Sequence, residues 1–206
     1  RQRQMCIRDR NDEVGVFALV GSSTMKEERY ADNLRFFRTS EKVFESSEPI
    51  YYPDDEVTLR LISYYPYQEE GVNMGESTMS VAVETDQNLS AGYFCSDFLV
   101  ASQNLQSAPK GAIALHYDHK FFKLKIALVG KEGEELQGIL DADPKLSVCG
   151  FYTKAIYDFQ KETYSAFSNE KSITPAGKWE IQGDRLSGKE VILICLLYTS
   201  DAADEL

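Results

Sequence analysis

The stretch Ile50-Tyr51-Tyr52-Pro53-Asp54-Asp55-Glu56-Val57-Thr58-Leu59-Arg60-Leu61-Ile62-Ser63-Tyr64-Tyr65-Pro66-Tyr67 decides the fold. Between positions 57 and 65 its β-branched, aliphatic and aromatic residues recur with a period of two, which predicts a strand. Val57, Leu59, Leu61, Ser63 and Tyr65 share one face; Thr58, Arg60, Ile62 and Tyr64 share the other. Pro53 and Pro66 bound the strand, because neither can donate a ladder hydrogen bond. Asp54 and Asp55 supply turn chemistry before it. The reading is a core strand with a tyrosine-rich end, and nothing in it is catalytic by itself.

Short segments of the same kind lie on either side. Val14-Gly15-Val16-Phe17-Ala18-Leu19-Val20 is an apolar run stopped by Gly21, which predicts a buried strand. Residues 24–33 are polar and read as a loop or a weak helical turn. Leu34 to Arg38 and Val43-Phe44 suggest a small hairpin around Thr39-Ser40-Glu41-Lys42. Met79, Val81 and Val83 alternate as a further strand. Within residues 90–102, Ser96 or Asp97 caps a single helical turn, or the segment is a short edge strand after an Asx turn; both readings stay open. Asn88-Leu89-Ser90 matches a glycosylation sequon, a pattern short enough to arise by chance.

Ile113, Leu115, Tyr117 and His119 share a face of the next expected strand, whereas Phe122, Leu124, Ile126 and Leu128 form the apolar set after it. The change of parity between His119 and Phe122 implies a bulge, a bend or a change of sheet, because a slip of one residue exchanges the faces. Gly130-Lys131-Glu132-Gly133 is a turn. Strands are then expected over 146–152, 155–159, 178–181 and 191–194, separated by Asp143-Pro144, Thr174-Pro175-Ala176-Gly177 and Gly183-Asp184. Many short strands with no long segment of helical period predict an all-β sandwich or barrel.

Both ends read as foreign sequence. Arg1-Gln2-Arg3-Gln4-Met5-Cys6-Ile7-Arg8-Asp9-Arg10 is what a tagmentation adapter encodes in one direction. Cys195-Leu196-Leu197-Tyr198-Thr199-Ser200-Asp201-Ala202-Ala203-Asp204 is what its reverse complement encodes. Residues 1–10 and 195–206 are therefore set apart as adapter-derived tails, and residues 11–194 carry the fold. Cys95 and Cys149 remain; both sit in apolar runs and are expected to be small buried hydrophobes rather than a bridge or a nucleophile. A net charge of -11 repels phosphate, so nucleic-acid and anionic membrane surfaces are disfavoured as partners. A hydrophobic share of 43% suits a globular core.

Catalytic motifs are missing from the sequence: there is no nucleophile elbow, P-loop or dinucleotide glycine pattern. His116 and His119, in His116-Tyr117-Asp118-His119, invite a metal reading. Positions three apart on a strand face opposite ways, so the two cannot share an ion unless a bend intervenes. No catalytic, metal or cofactor residue is assigned, and no enzyme activity is expected. Tyr51, Tyr52, Tyr64, Tyr65, Tyr67 and Trp179 could stack on sugars, although strand tyrosines more often pack a core edge.

The order Gly15-Val16-Phe17, Ile50-Tyr51-Tyr52-Pro53, Ser63-Tyr64-Tyr65-Pro66-Tyr67, Asp86-Gln87, Ser96-Asp97-Phe98-Leu99-Val100-Ala101 and Ala114-Leu115-His116-Tyr117-Asp118-His119-Lys120 resembles the fimbrillin family of Bacteroidales. Gly188-Lys189-Glu190-Val191-Ile192-Leu193-Ile194 resembles the strand that leads into that family's second domain. Ser63 departs from the alanine often found there. The resemblance implies an N-terminal β-sandwich of transthyretin- or immunoglobulin-like topology, mostly antiparallel, in an exported surface lipoprotein of the outer membrane or fimbrium. It implies neighbouring fimbrial subunits as partners, joined when one subunit's strand fills another's groove. Such a groove is expected to be lined by Val57, Leu59, Leu61, Ile126 and Leu128. A surface glycan-binding module is the alternative; it requires an exposed platform from Trp179, or from Tyr64 with Tyr67.

Overall fold

The structure, a computed structural model, describes residues 12–40, 43–53 and 57–194. The tails assigned to adapter sequence and the Asp54-Asp55 turn lie outside the described residues. The fold is an all-β sandwich, mostly antiparallel, with two helices of six residues each among the described residues. In chain order the strands are β1 (Glu13–Val20), β2 (Ala31–Ser40), β3 (Val43–Glu45), β4 (Leu59–Tyr65) and β5 (Thr78–Ala82). Helix α1 (Ser90–Cys95), β6 (Leu99–Leu105), β7 (Asp118–His119), β8 (Phe122–Val129) and α2 (Leu136–Asp141) follow. The last strands are β9 (Tyr152–Asp158), β10 (Thr163–Glu170), β11 (Glu180–Gln182) and β12 (Arg185–Leu193).

The chain divides into two compact units, residues 1–79, 98–120 and 157–163 in one and the remainder in the other. In the first unit the strands run in the order β3-β2-β1-β4-β6-β7. β4 lies where the alternation placed it and is paired along its length on both sides: Val20↔Leu59 to Gly15↔Tyr64 with β1, and Leu59↔Leu105 to Tyr65↔Leu99 with β6. Its two rows of side chains are both buried, which is why the segment reads as nearly continuous apolar sequence. One row, Leu59 and Leu61, joins Ala18 and Ala31, while Tyr65 joins Val14, Val16 and Leu99. Ile50 packs against both groups and Tyr52 against the first, so the Ile50-Tyr51-Tyr52 segment covers this face. The opposite row carries Tyr64 onto Phe17, ring centroids 5.8 Å apart, with Phe159 edge-on to both. Phe98 and Tyr157 extend that aromatic cluster.

The loop before β2 is closed by Arg29, whose side chain is 0% exposed. Its guanidinium donates to the carbonyls of Met25, Val72, Asn73 and Glu76 and to the Asp32 carboxylate, and lies over the Phe17 ring. Five acceptors converging on one planar cation match its five N–H donors, which is what a buried arginine requires. The loop expected over 24–33 is present as far as residue 30, held by this anchor, and β2 takes over at Ala31. The expected hairpin is present as β2 and β3, with Phe37↔Glu45, Arg38↔Phe44 and Ser40↔Val43.

In the second unit β12 lies between β11 and β8. The change of parity after His119 is a change of sheet: β7 pairs with β6, whereas β8 pairs with β12. The buried Gln87 side chain acts as a substitute strand residue. Its Nε2 donates to the Ile192 carbonyl and its Oε1 accepts from the Ile192 N–H, both at 2.8 Å.

Several expectations are corrected. The strand expected from Ile113 to His119 is ordered as strand only at Asp118 and His119; Ile113 and Ala114 are exposed and supply no burial to fix them. Of residues 146–152, Val148 makes a single bridge to Ile173, and Gly150, at φ 82°, interrupts the run. Ser96 closes α1 rather than opening a turn: its Oγ donates to the Gly92 carbonyl and accepts from the Glu84 N–H. The strand after it, β6, pairs with β4 on one side and on the other meets β7 at Leu99 and Val100, so the rest of its outer side is an edge among the described residues. Cys95 and Cys149 are both exposed, because α1 buries no side chain and Cys149 borders the irregular turn at Gly150. β10 and α2 were not anticipated; β10 buries one residue, Tyr164, and has no apolar alternation to read.

Candidate strand-addition edge

Whether a sheet can accept a further strand depends on backbone groups left without a partner beside apolar surface. The residues expected to line such a groove separate into two sets. Leu59 and Leu61 sit in β4, whose edges are both taken by β1 and β6, so they line no groove; Val57 is half-buried in the bend before that strand. Ile126 and Leu128 lie in β8. That strand pairs with β12 on one side, and among the described residues no strand lies on the other.

The register fixes which groups face outward. Phe122↔Leu193, Leu124↔Val191 and Ile126↔Lys189 alternate with Lys123↔Ile192 and Lys125↔Glu190. Ile192 gives its N–H and C=O to Gln87, and Glu190 exchanges both of its groups with Ala176, so neither turns toward β8. Lys123 and Lys125 therefore belong to pairs that are not hydrogen-bonded to each other, and their N–H and C=O groups face the open side. One row of β8 continues the buried face of β12, yet it is uncovered. Val191 and Leu193 are 0% exposed, whereas Leu124 and Phe122 opposite them are each 37% exposed. A core face thus ends in a half-exposed apolar row along an unpaired backbone.

The other row is basic. Lys123 forms an ion pair with Glu190, which also accepts from the Tyr93 hydroxyl, and its ammonium lies 5.2 Å from the centre of the Tyr93 ring. Burial pushes the Glu190 carboxyl up, but the hydrogen bonds from Lys123 and Tyr93 outweigh it and hold the group below the ordinary glutamate value. Beside this pair β12 bulges between Leu186 and Lys189. Gly188 is at φ 102°, and a Cβ there would meet the Lys178 carbonyl oxygen at 2.2 Å, so only glycine fits the bulge.

The rings weighed for sugar stacking are mostly inside. Tyr64 and Trp179 are buried, at 0% and 7% exposed, and the Trp179 indole donates to the Pro144 carbonyl. Tyr65 is buried, Tyr52 is half-buried with its hydroxyl on the Val57 and Leu105 carbonyls, and Tyr67 is half-buried beneath Arg35. Tyr51 alone of the six is largely exposed. Tyr64 with Tyr67, or Trp179, therefore offers no open platform. His116 lies in the irregular segment before β7 and His119 within it; both are exposed. The sequence did not single out Gln87 or Arg29 as structural keys, because a buried polar side chain that completes a distant backbone has no local pattern.

A family model described as fimbrillin-like matches residues 8–204. No curated protein is matched by the chain. A crystal structure of a protein provisionally assigned to cell adhesion from Bacteroides ovatus ATCC 8483 is similar, with a TM-score of 0.64 at 14% identity over 91% of this chain and 69% of that one. A second, from Bacteroides uniformis ATCC 8492 and of the same assignment, has a TM-score of 0.59 at 20% identity over 91% of this chain and 70% of that one. At these identities the likeness is one of fold.

Proposed function

The chain belongs to the fimbrillin-like family, and we propose that it is a structural or adhesive subunit of a cell-surface fimbria, joined to neighbouring subunits by strand addition. The open edge of β8 carries this reading: its unpaired backbone lies beside an apolar row that is core on the β12 side and half-exposed on its own. An extended segment from another subunit, apolar at alternate positions, would hydrogen-bond to Lys123 and Lys125 and cover Phe122, Leu124 and Ile126. Main-chain bonds would supply affinity and the alternate side chains would supply register. Covering that row removes apolar area from water, so occupancy stabilises the subunit by linkage. A role on the cell surface fits the assignment to cell adhesion of the two Bacteroides structures of similar fold. No helix among the described residues is long and apolar enough to cross a membrane.

The test is native mass spectrometry of the protein before and after limited proteolysis, with Lys125→Pro alongside. Proline at position 125 removes a donor on the open side without removing a bond to β12, a place where edge strands tolerate it. The wild type should give a ladder of oligomers. The variant should remain monomeric with an unchanged thermal midpoint. A wild type that stays monomeric in both conditions, or a variant that polymerises equally well, refutes the reading.

A further inference from the structure

The first unit has an edge of its own along β6. β7 pairs with β6 only at Leu99↔His119 and Val100↔Asp118, and the Lys120 N–H donates to the Phe98 carbonyl, in the same register. From Ala101 to Leu105 no strand lies on the outer side of β6 among the described residues. The Lys120 N–H bonds the Phe98 carbonyl, so Ser102 and Asn104, four and six positions along from Phe98, turn their N–H and C=O groups to the same outer side.

The segment before β7 is placed to meet them. Extending the β6–β7 register sets Tyr117 opposite Ala101, His116 opposite Ser102, Leu115 opposite Gln103, Ala114 opposite Asn104 and Ile113 opposite Leu105. The first of these positions is already occupied. Tyr117 reaches across the small Ala101 to Ser63, its β4 partner, with 2.6 Å between the two hydroxyl oxygens, and Ser63 donates onward to the Gly15 carbonyl. Leu115 is half-buried and Ile113 is 37% exposed. In the extended register these two side chains fall on the row of Leu61 and Leu59, through Gln103 and Leu105. The period-two pattern of Ile113, Leu115 and Tyr117 therefore matches a face that lacks its outermost strand.

We infer that residues 113–117 are a strap that zips onto β6, in the register set by β7, and closes this edge from within the same chain. Tyr117 is its fixed end and Ile113 its free end. Closure forms backbone pairs at Ser102↔His116 and Asn104↔Ala114 and moves Ile113 and Leu115 onto apolar neighbours. It denies the β6 edge to strands of other molecules. The closure does not depend on the fimbrial reading, since it concerns only contacts within this unit.

Hydrogen exchange of the whole protein tests the strap. The amides of Ser102, Asn104, His116 and Ala114 should exchange at least about tenfold more slowly than the exposed amides of Ser107 and Gly111, because each opening must break a paired segment. Ala114→Pro should abolish protection at Asn104 while leaving that of β4 intact. Protection must be independent of protein concentration. A second measurement uses disulfide formation with the native cysteines replaced by serine: Gln103→Cys with Leu115→Cys should oxidise faster than the off-register pair Gln103→Cys with Ala114→Cys. Unprotected amides, or equal oxidation of the two pairs, overturn the strap. Protection that rises with concentration overturns it in favour of a second copy on this edge.

Discussion

Replacing Gly15 with alanine places one methyl group where the fold has no room for it. Gly15 faces Tyr64 across the β1–β4 pair, and a Cβ built on it lies 2.2 Å from Tyr64 Cε1, 2.5 Å from Cζ and 2.8 Å from Asn33 Oδ1. Carbon atoms rest at about 3.5–4.0 Å, so the ring would have to withdraw by more than about 1 Å. It has nowhere to go. Phe17 stacks on it, Phe159 lies against its face, and its hydroxyl donates to Asn33 Oδ1 at 2.7 Å. Overpacking of this kind costs about 1–3 kcal/mol. Dragging a buried hydroxyl off its partner adds about 1–3 kcal/mol. Gly15→Ala should therefore destabilise the protein by about 2–6 kcal/mol. Urea denaturation followed by tyrosine fluorescence measures it as a lower midpoint at unchanged slope. Gly21→Ala is the control: at φ 61° with open space around it, it meets no atom and bears only the left-handed backbone cost of about 1–2 kcal/mol. A Gly15→Ala midpoint within about 0.5 kcal/mol of wild type would refute the packing argument.

Three further outcomes follow from buried and half-buried polar groups. Arg29→Met should cost about 3–5 kcal/mol by leaving four carbonyls and Asp32 without their donor, and Arg29→Lys should not restore it; calorimetry of both variants checks this. Burial pushes Tyr64 and Tyr117 up to about 12, from an ordinary value near 10. The stability from keeping them neutral is complete below pH 10 and is lost as the pH rises toward 12; Tyr64→Phe should remove part of that alkaline loss in a pH series of thermal midpoints. Glu190 is held below its ordinary value of 4.5, so its contribution is present above that pH and fades as the pH falls through its lower folded value; Lys123→Met should flatten this acid limb, read by the same series.

What the sequence shows is set by how local the cause is. β1 and β4 bury both faces and declare themselves as apolar runs, and the parity break after His119 marks a discontinuity in the sequence that only the pairing of β7 and β8 identifies as a change of sheet. The edge at β8 was half legible. Ile126 and Leu128 alternate visibly, but that their strand has one neighbour depends on pairing with β12 some sixty positions later in the chain. Leu59 and Leu61 have the same alternation and lie in the middle of a sheet, so alternation separates faces without distinguishing an edge from a centre. The cysteines differ from expectation for a related reason: an apolar neighbourhood in sequence is not one in space when Cys95 ends a helix that buries nothing and Cys149 borders the turn at Gly150. Tyr64 and Trp179 could not be separated from Tyr51 by type; only the cover over each ring decides.

The Gln87 carboxamide also sets an order in time. Besides a 3.3 Å bond to the nearby Glu84 carbonyl, it makes its two shorter bonds, both 2.8 Å, to Ile192, 105 positions later in the chain. A chain emerging from its N-terminus has the loop around Gln87 long before it has the strand that Gln87 completes. Until β12 arrives, β8 lacks its one neighbour as well, and its backbone is open on both sides. Contacts so distant in sequence form late, because the entropy of closing the intervening loop is lost before the pairing repays it. Native structure in this unit is therefore gated by its final strand. Before residues 185–193 are available, the second unit has neither the partner of β8 nor the backbone that Gln87 completes, whereas the first unit, which ends at residue 163, has all of its strands.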